Sequence, residues 1–174
     1  MKKLLSLGLA AMLAFGLATT SFAASDTTDA GTTTTVDTTI DHQTVTVTKD
    51  YKLVGDGTSP AETFTLEQVG DGTVTQSEAT TAPRLGTITG ADFAEGAATV
   101  NGTTGEITIA LPDYTSVGVY EYTLKEVDNK TAGVAYYSDN IRLVVTVING
   151  ENGKLRIAAV HVESEGAKSD TFPN

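Results

Sequence analysis

Three polar residues stand where the strand pattern calls for apolar ones. In Val45-Thr46-Val47-Thr48-Lys49, strict alternation places Val45, Val47 and Lys49 on one face and the threonines on the other. In Tyr120-Glu121-Tyr122-Thr123-Leu124-Lys125-Glu126, the same rule groups Tyr120, Tyr122, Leu124 and Glu126. At the end of the chain Asn174 shares the parity of Asp170 and Phe172, and so accompanies Phe172 inward. An amine, a carboxyl and a carboxamide on three well-separated strands are thus aimed at apolar surroundings.

Each has an ordinary explanation when taken alone. A strand-end lysine snorkels, a strand-end glutamate pairs with it, and a terminal asparagine frays. Taken together, they make a reaction possible. Burial depresses a lysine pKa and frees the amine lone pair for attack, while it raises a glutamic acid pKa so that the acid holds a proton at neutral pH. Glu126 can then polarise the Asn174 carboxamide as Lys49 attacks, and pass protons to the departing ammonia. The product is an amide between the two side chains, with the fold supplying the effective concentration that so reluctant an exchange requires. Lys52 has the opposite parity to Lys49 and is the poorer nucleophile.

The elements that must hold these groups are written in period two. Strands are predicted over 43–53, 61–69, 97–101, 106–111, 117–127, 134–137, 140–149, 154–163 and 170–174. Gly, Asp, Asn and Pro punctuate them, as in Gly55-Asp56-Gly57, Asn101-Gly102 and Asn152-Gly153. Ile141, Leu143, Val145 and Val147 alternate, the chain turns over 149–153, and Leu155, Ile157 and Ala159 alternate again, which is a hairpin. Residues 73–96 lack clear alternation and read as an excursion with weak structure of its own. Short strands at this spacing predict an all-β, antiparallel sandwich of immunoglobulin-like type. Two Val-Gly-Asp-Gly-Thr pentads, at 54–58 and 69–73, read as turns. Neither has the spaced carboxylates of a calcium loop or the following Lys and helix of a phosphate loop.

Residues 1–23 read as a secretory signal: Lys2 and Lys3, an apolar run, then Ser21-Phe22-Ala23 as the cleavage site. Residues 24–41 form a Thr- and Asp-rich spacer with little to bury, which leaves 42–174 as one folded domain. Without Lys2 and Lys3, nine basic residues face 22 acidic ones, a formal charge of −13 on the exported chain. That excludes nucleic acid as a natural partner, and no later apolar stretch is long enough to insert in a membrane. With no cysteine there is no disulfide, thiol nucleophile or thiolate metal site, and no metal or other cofactor is expected. Two histidines, His42 and His161, with no Gly-x-Ser-x-Gly or His-Glu-x-x-His, speak against a secreted serine or zinc hydrolase; 22 acidic residues leave a glycosidase carboxylate pair open, but nothing singles one out.

Thr48-Lys49, the run Gly-Val-Tyr-Glu-Tyr-Thr-Leu-Lys-Glu-Val at 118–127 and the final Phe-Pro-Asn closely resemble the isopeptide-linkage domain of Gram-positive major pilins, of the streptococcal T-antigen type. Ala-Glu-Thr-Phe-Thr-Leu (61–66), Tyr-Ser-Asp (137–139) and the 145–155 hairpin extend the likeness across roughly 42–174. The resemblance implies a CnaB-type sandwich and a Lys49 to Asn174 isopeptide bond catalysed once by Glu126, with no substrate turned over. It further implies a structural subunit of a pilus or stalk at the cell surface or cell wall, with other pilin subunits and a sortase as partners. Lys168, in the polar stretch before the last strand, is the candidate acceptor for the next subunit; Lys125, Lys130 and Lys154 are its rivals. Leu-Pro-x-Thr-Gly, an apolar C-terminal segment and a basic tail are missing from the pattern, which reads as truncation at a domain boundary or retention by another route. The alternative function is a surface adhesin or ligand-binding module on the same fold, using the 73–96 excursion or the loops.

Overall fold

Most of the period-two segments fold as strands that bury the parity marked as apolar, with 61–69 divided between two short strands. The computed structural model describes residues 44–164 and 167–173. The signal segment 1–23, the spacer 24–41 and Asn174 lie outside the described residues. In chain order the strands are β1 (Thr44–Tyr51), β2 (Glu62–Phe64), β3 (Leu66–Gln68), β4 (Thr73–Thr75), β5 (Ile88–Thr89), β6 (Ala91–Phe93), β7 (Thr103–Ala110), β8 (Gly118–Glu126), β9 (Ile141–Asn149), β10 (Leu155–Ser164), β11 (Ala167–Lys168) and β12 (Thr171–Pro173).

They make an all-β sandwich. One sheet runs β12-β1-β7-β5, the other β11-β10-β9-β8-β3 with β4 continuing along the same edge of β8, and β2 pairs with β6 as a small separate ribbon. Pairing is antiparallel except between β1 and β12, which run parallel with Lys49 opposite Phe172. Val47, Ile107 and Ile109 from the first sheet and Tyr120, Tyr122, Leu124, Leu143, Val145 and Ile157 from the second form one buried cluster. Each such side chain contributes about 1.5–3 kcal/mol by leaving water, so the parity of each strand is strongly held.

The 149–153 turn is built as expected. Glu151–Gly153 form a single 3-10 turn with Asn152 and Gly153 at positive φ, and the Gly150 N–H donates to the Lys154 carbonyl at 2.6 Å. The 73–96 segment carries more structure than its sequence suggests, since β4, β5 and β6 all lie within it. These strands are two or three residues long, too short for alternation to register. Conversely, 97–101 and 134–137 are not strands. Thr99 makes only an isolated bridge to Lys52, and the 127–140 connection contains no named strand.

One glycine is required by packing. Gly105 pairs with Lys49 across β1 and β7, and a Cβ there would come within 2.7 Å of the Phe93 ring and 2.9 Å of the Ala91 Cβ. The bare backbone lets the β2–β6 ribbon press onto the first sheet. Phe93 has nowhere to retreat, because its ring is wedged edge-on against Tyr51 and Phe64 at centroid distances of 5.3 and 5.7 Å. Gly105→Ala is therefore expected to destabilise by about 1–3 kcal/mol through overpacking, read as a lowered midpoint in urea with an unchanged slope.

Candidate functional site

Lys49 and Glu126 meet between the two sheets. Lys49 is the sixth residue of β1 and Glu126 the last of β8, and each continues the inward parity of its strand. Both side chains are fully removed from solvent, and Nζ lies 2.9 Å from Oε1 and 3.1 Å from Oε2. The amine also donates to the carbonyl oxygen of Pro173 at 3.1 Å. The rings of Phe64 and Phe172 lie over Nζ at 4.5 and 4.8 Å from their centroids, so aromatic surface takes the place of water. Phe172 is brought there by the parallel register of β12 on β1, which the Thr48 N–H anchors on the Asp170 carbonyl at 2.6 Å.

Burial decides the protonation of this pair. It pushes the Lys49 pKa down, against the hydrogen bond and charge of Glu126 that favour the ammonium. It pushes the Glu126 pKa up, against the hydrogen bonds of Lys49 and of the Tyr137 N–H, which favour the carboxylate. Both shifts point toward a neutral amine beside a neutral acid, the least costly way to keep two ionisable groups dry. The Tyr137 N–H meets Oε2 at 2.5 Å, whereas among the described residues Oε1 has no hydrogen-bond partner of acceptable geometry. Oε2 is thus held by backbone, while Oε1 faces the amine. The arrangement can supply a nucleophilic nitrogen and a group that both gives and accepts a proton.

Of the residues singled out from the sequence, Lys49 and Glu126 are brought together, and Asn174 lies outside the described residues. Lys52 is directed elsewhere, with its half-exposed amine 3.0 Å from Asp50. Lys168 is exposed on β11, at the outer edge of the second sheet.

Sequence reasoning missed Glu62, a second buried carboxylate nearby, at 7% exposure. The signal was present, because Glu62 shares the parity of Phe64 in Glu62-Thr63-Phe64. The Tyr137 N–H carried no such signal, since it belongs to a loop. The 134–137 segment is not a strand in part because this N–H goes to a side chain rather than to a neighbouring strand.

Comparison with protein families finds a match over residues 45–174 to FctA, described as a Spy0128-like isopeptide containing domain. The chain matches no curated protein and no solved structure.

Removing the amine tests the account of the pair. With Lys49→Met, Glu126 keeps its burial but loses the partner that favours its charged form, so its folded pKa rises further above the unfolded value. Stability associated with a raised pKa is full below the unfolded carboxyl range and is lost as pH rises toward the folded pKa. Lys49→Met is therefore expected to lose about 1.4 kcal/mol per pH unit above the ordinary glutamate range in urea titrations, and Lys49→Met/Glu126→Gln is expected to lose that dependence.

Proposed function

The chain belongs to the FctA family of Spy0128-like isopeptide-containing domains, pilin-type surface proteins, and on that premise we propose that it is a structural subunit of a pilus or stalk, locked by a self-made Lys49 to Asn174 amide. One observation carries the reading: the Lys49 amine lies 3.1 Å from the carbonyl oxygen of Pro173, the residue covalently joined to Asn174, and also touches a buried carboxyl.

In the proposed step the neutral Nζ of Lys49 attacks Cγ of Asn174. Glu126, protonated, donates a hydrogen bond to the carboxamide oxygen as negative charge develops there. The tetrahedral centre then collapses, the Cγ–Nδ2 bond breaks, and a proton lost from Nζ reaches Nδ2 through the Glu126 carboxyl. One amide forms, one ammonia leaves, and Glu126 ends as it began. The event happens once per chain.

The bond would close a loop of 126 residues, from 49 through 174. On the loop-entropy argument used for disulfides, that span stabilises by about 4–5 kcal/mol. We further propose that residues 1–23 are removed on export, that 24–41 act as a spacer at the cell surface, and that a sortase joins subunits through Lys168. Lys168 is exposed, makes no ion pair among the described residues and sits on the strand that leads into β12. The rival Lys130 is engaged with Asp128, and Lys154 is only half exposed at the hairpin turn.

The intact mass of the folded, processed chain is expected to fall one ammonia below the sequence mass, and Glu126→Ala is expected to restore it. A full mass in a folded wild-type chain would end the proposal. The rate of ammonia loss on refolding should be bell-shaped in pH, falling at the acid side as Lys49 takes up a proton and at the alkaline side as Glu126 gives one up. For the polymer, Lys168→Arg in a subunit supplied with a sorting motif and incubated with the cognate sortase should abolish the ladder of covalent multimers. An unchanged ladder moves the acceptor to another lysine.

A further inference from the structure

Glu62 is buried among hydrogen-bond donors that all belong to one neighbourhood. Its Oε1 accepts from Asn129 Nδ2 at 2.7 Å and from the Thr63 N–H at 3.1 Å, and its Oε2 accepts from the Tyr136 hydroxyl at 2.8 Å. Asn129 Nδ2 also donates to the Thr63 carbonyl at 3.0 Å, and the Thr131 N–H reaches the Tyr136 hydroxyl at 3.4 Å. Asn129, Thr131 and Tyr136 are all in the 127–140 connection, which follows Glu126 directly and has no strand to hold it. Glu62, at the start of β2, ties the middle of that loop to the body of the domain, between the Val127 N–H on the Thr65 carbonyl at one end and the Tyr137 ring against Phe172 at the other.

The fastening ends beside the reactive pair. Tyr136 packs on Phe64 at 5.8 Å between centroids, and Phe64 lies over Nζ of Lys49. The next residue, Tyr137, presents the N–H that holds Oε2 of Glu126. We propose that Glu62 is a positioning residue for the crosslinking reaction: by clasping Asn129 and Tyr136 it holds the 127–140 loop so that the Tyr137 N–H fixes the Glu126 carboxyl and the loop seals the Lys49 amine from water. The inference rests on the isopeptide reading above.

The pKa values of the two carboxyls are pushed in opposite directions. Burial pushes Glu62 upward, but hydrogen bonds from Thr131, Asn129, Tyr136 and the Thr63 N–H together outweigh it and hold the group below the usual glutamate range. Glu62 is thus a fixed anion, and its charge opposes ionisation of Glu126. The groups facing Glu126 are Lys49 from β1, Glu62 from β2 and Tyr137 from the loop, with Asp50 acting on Lys49 from the same strand. A clasp that is also an anion leaves two separable signatures, one in the rate and one in the pH profile.

The test uses the full processed chain recovered unfolded from inclusion bodies and refolded by dilution, with ammonia loss followed by intact mass across pH. Glu62→Gln keeps the size of the clasp but removes the charge; it is expected to slow the reaction about tenfold or more and to move the alkaline limb of the profile to lower pH. Glu62→Asp keeps the charge but shortens the reach, and should slow the reaction with the limb near its wild-type place. Tyr136→Phe keeps the ring on Phe64, folds normally, and should slow the reaction several-fold by removing one hydrogen bond of the clasp.

Wild-type rates in Glu62→Gln and Tyr136→Phe overturn the positioning role, and so does a slowed Glu62→Gln whose alkaline limb stays in place, which marks a merely structural residue. If wild-type chain never loses ammonia, the isopeptide reading fails instead, so the two failures are distinct.

Discussion

The exclusion of water from around Lys49 and Glu126 is the constraint on which the rest of the structure depends. In solvent this pair would be an ordinary ion pair of small value. Enclosed by Phe64, Phe172 and the backbone of the 127–140 loop, it becomes a pair whose charged forms are both penalised. Desolvation outweighs mutual attraction in both shifts, which favours the neutral form of each group over separated charge. Three peripheral features serve this enclosure: β2 carries one ring, β12 carries the other, and Gly105 yields the space that lets the β2–β6 ribbon close down.

A dry amine would be inert if the acid beside it were free to rotate. The Tyr137 N–H on Oε2 removes that freedom, and it does so from a loop held by polar contacts rather than by a sheet. Preorganisation therefore comes from two sources of different stiffness: strands place Lys49 and Glu126, and a hydrogen-bonded clasp orients them. Two carboxyls in one neighbourhood have their pKa values pushed in opposite directions because one is surrounded by donors and the other by rings and an amine.

The long strands were legible because apolar alternation and burial are two views of one force. β1, β7, β8, β9 and β10 fall close to the positions read from parity, and Lys49 and Glu126 face inward as that parity requires. What escaped was written in another code. β4, β5 and β6 are too short to show a period, and they exist because neighbouring strands offer open edges for them to pair with. The 134–137 run of Val, Ala and two tyrosines has the composition of a strand, yet its backbone turns to a carboxyl instead. Glu62 was readable by the same parity test that found Lys49, since it stands two residues before Phe64; its partners were not, because Asn129 and Tyr136 reach it across 67 and 74 positions of chain.

The parallel register of β1 and β12 bears on how this domain carries tension. In an antiparallel terminal pair, traction on the two chain ends peels the strands apart one hydrogen bond at a time. Here Thr48, Lys49 and Asp50 lie beside Thr171, Phe172 and Pro173 with both strands running the same way. Traction that enters before β1 and leaves after β12 slides the two strands along each other in shear. All contacts of the seam then resist at once, and the chain between them, nearly the whole sandwich, stays off the load line.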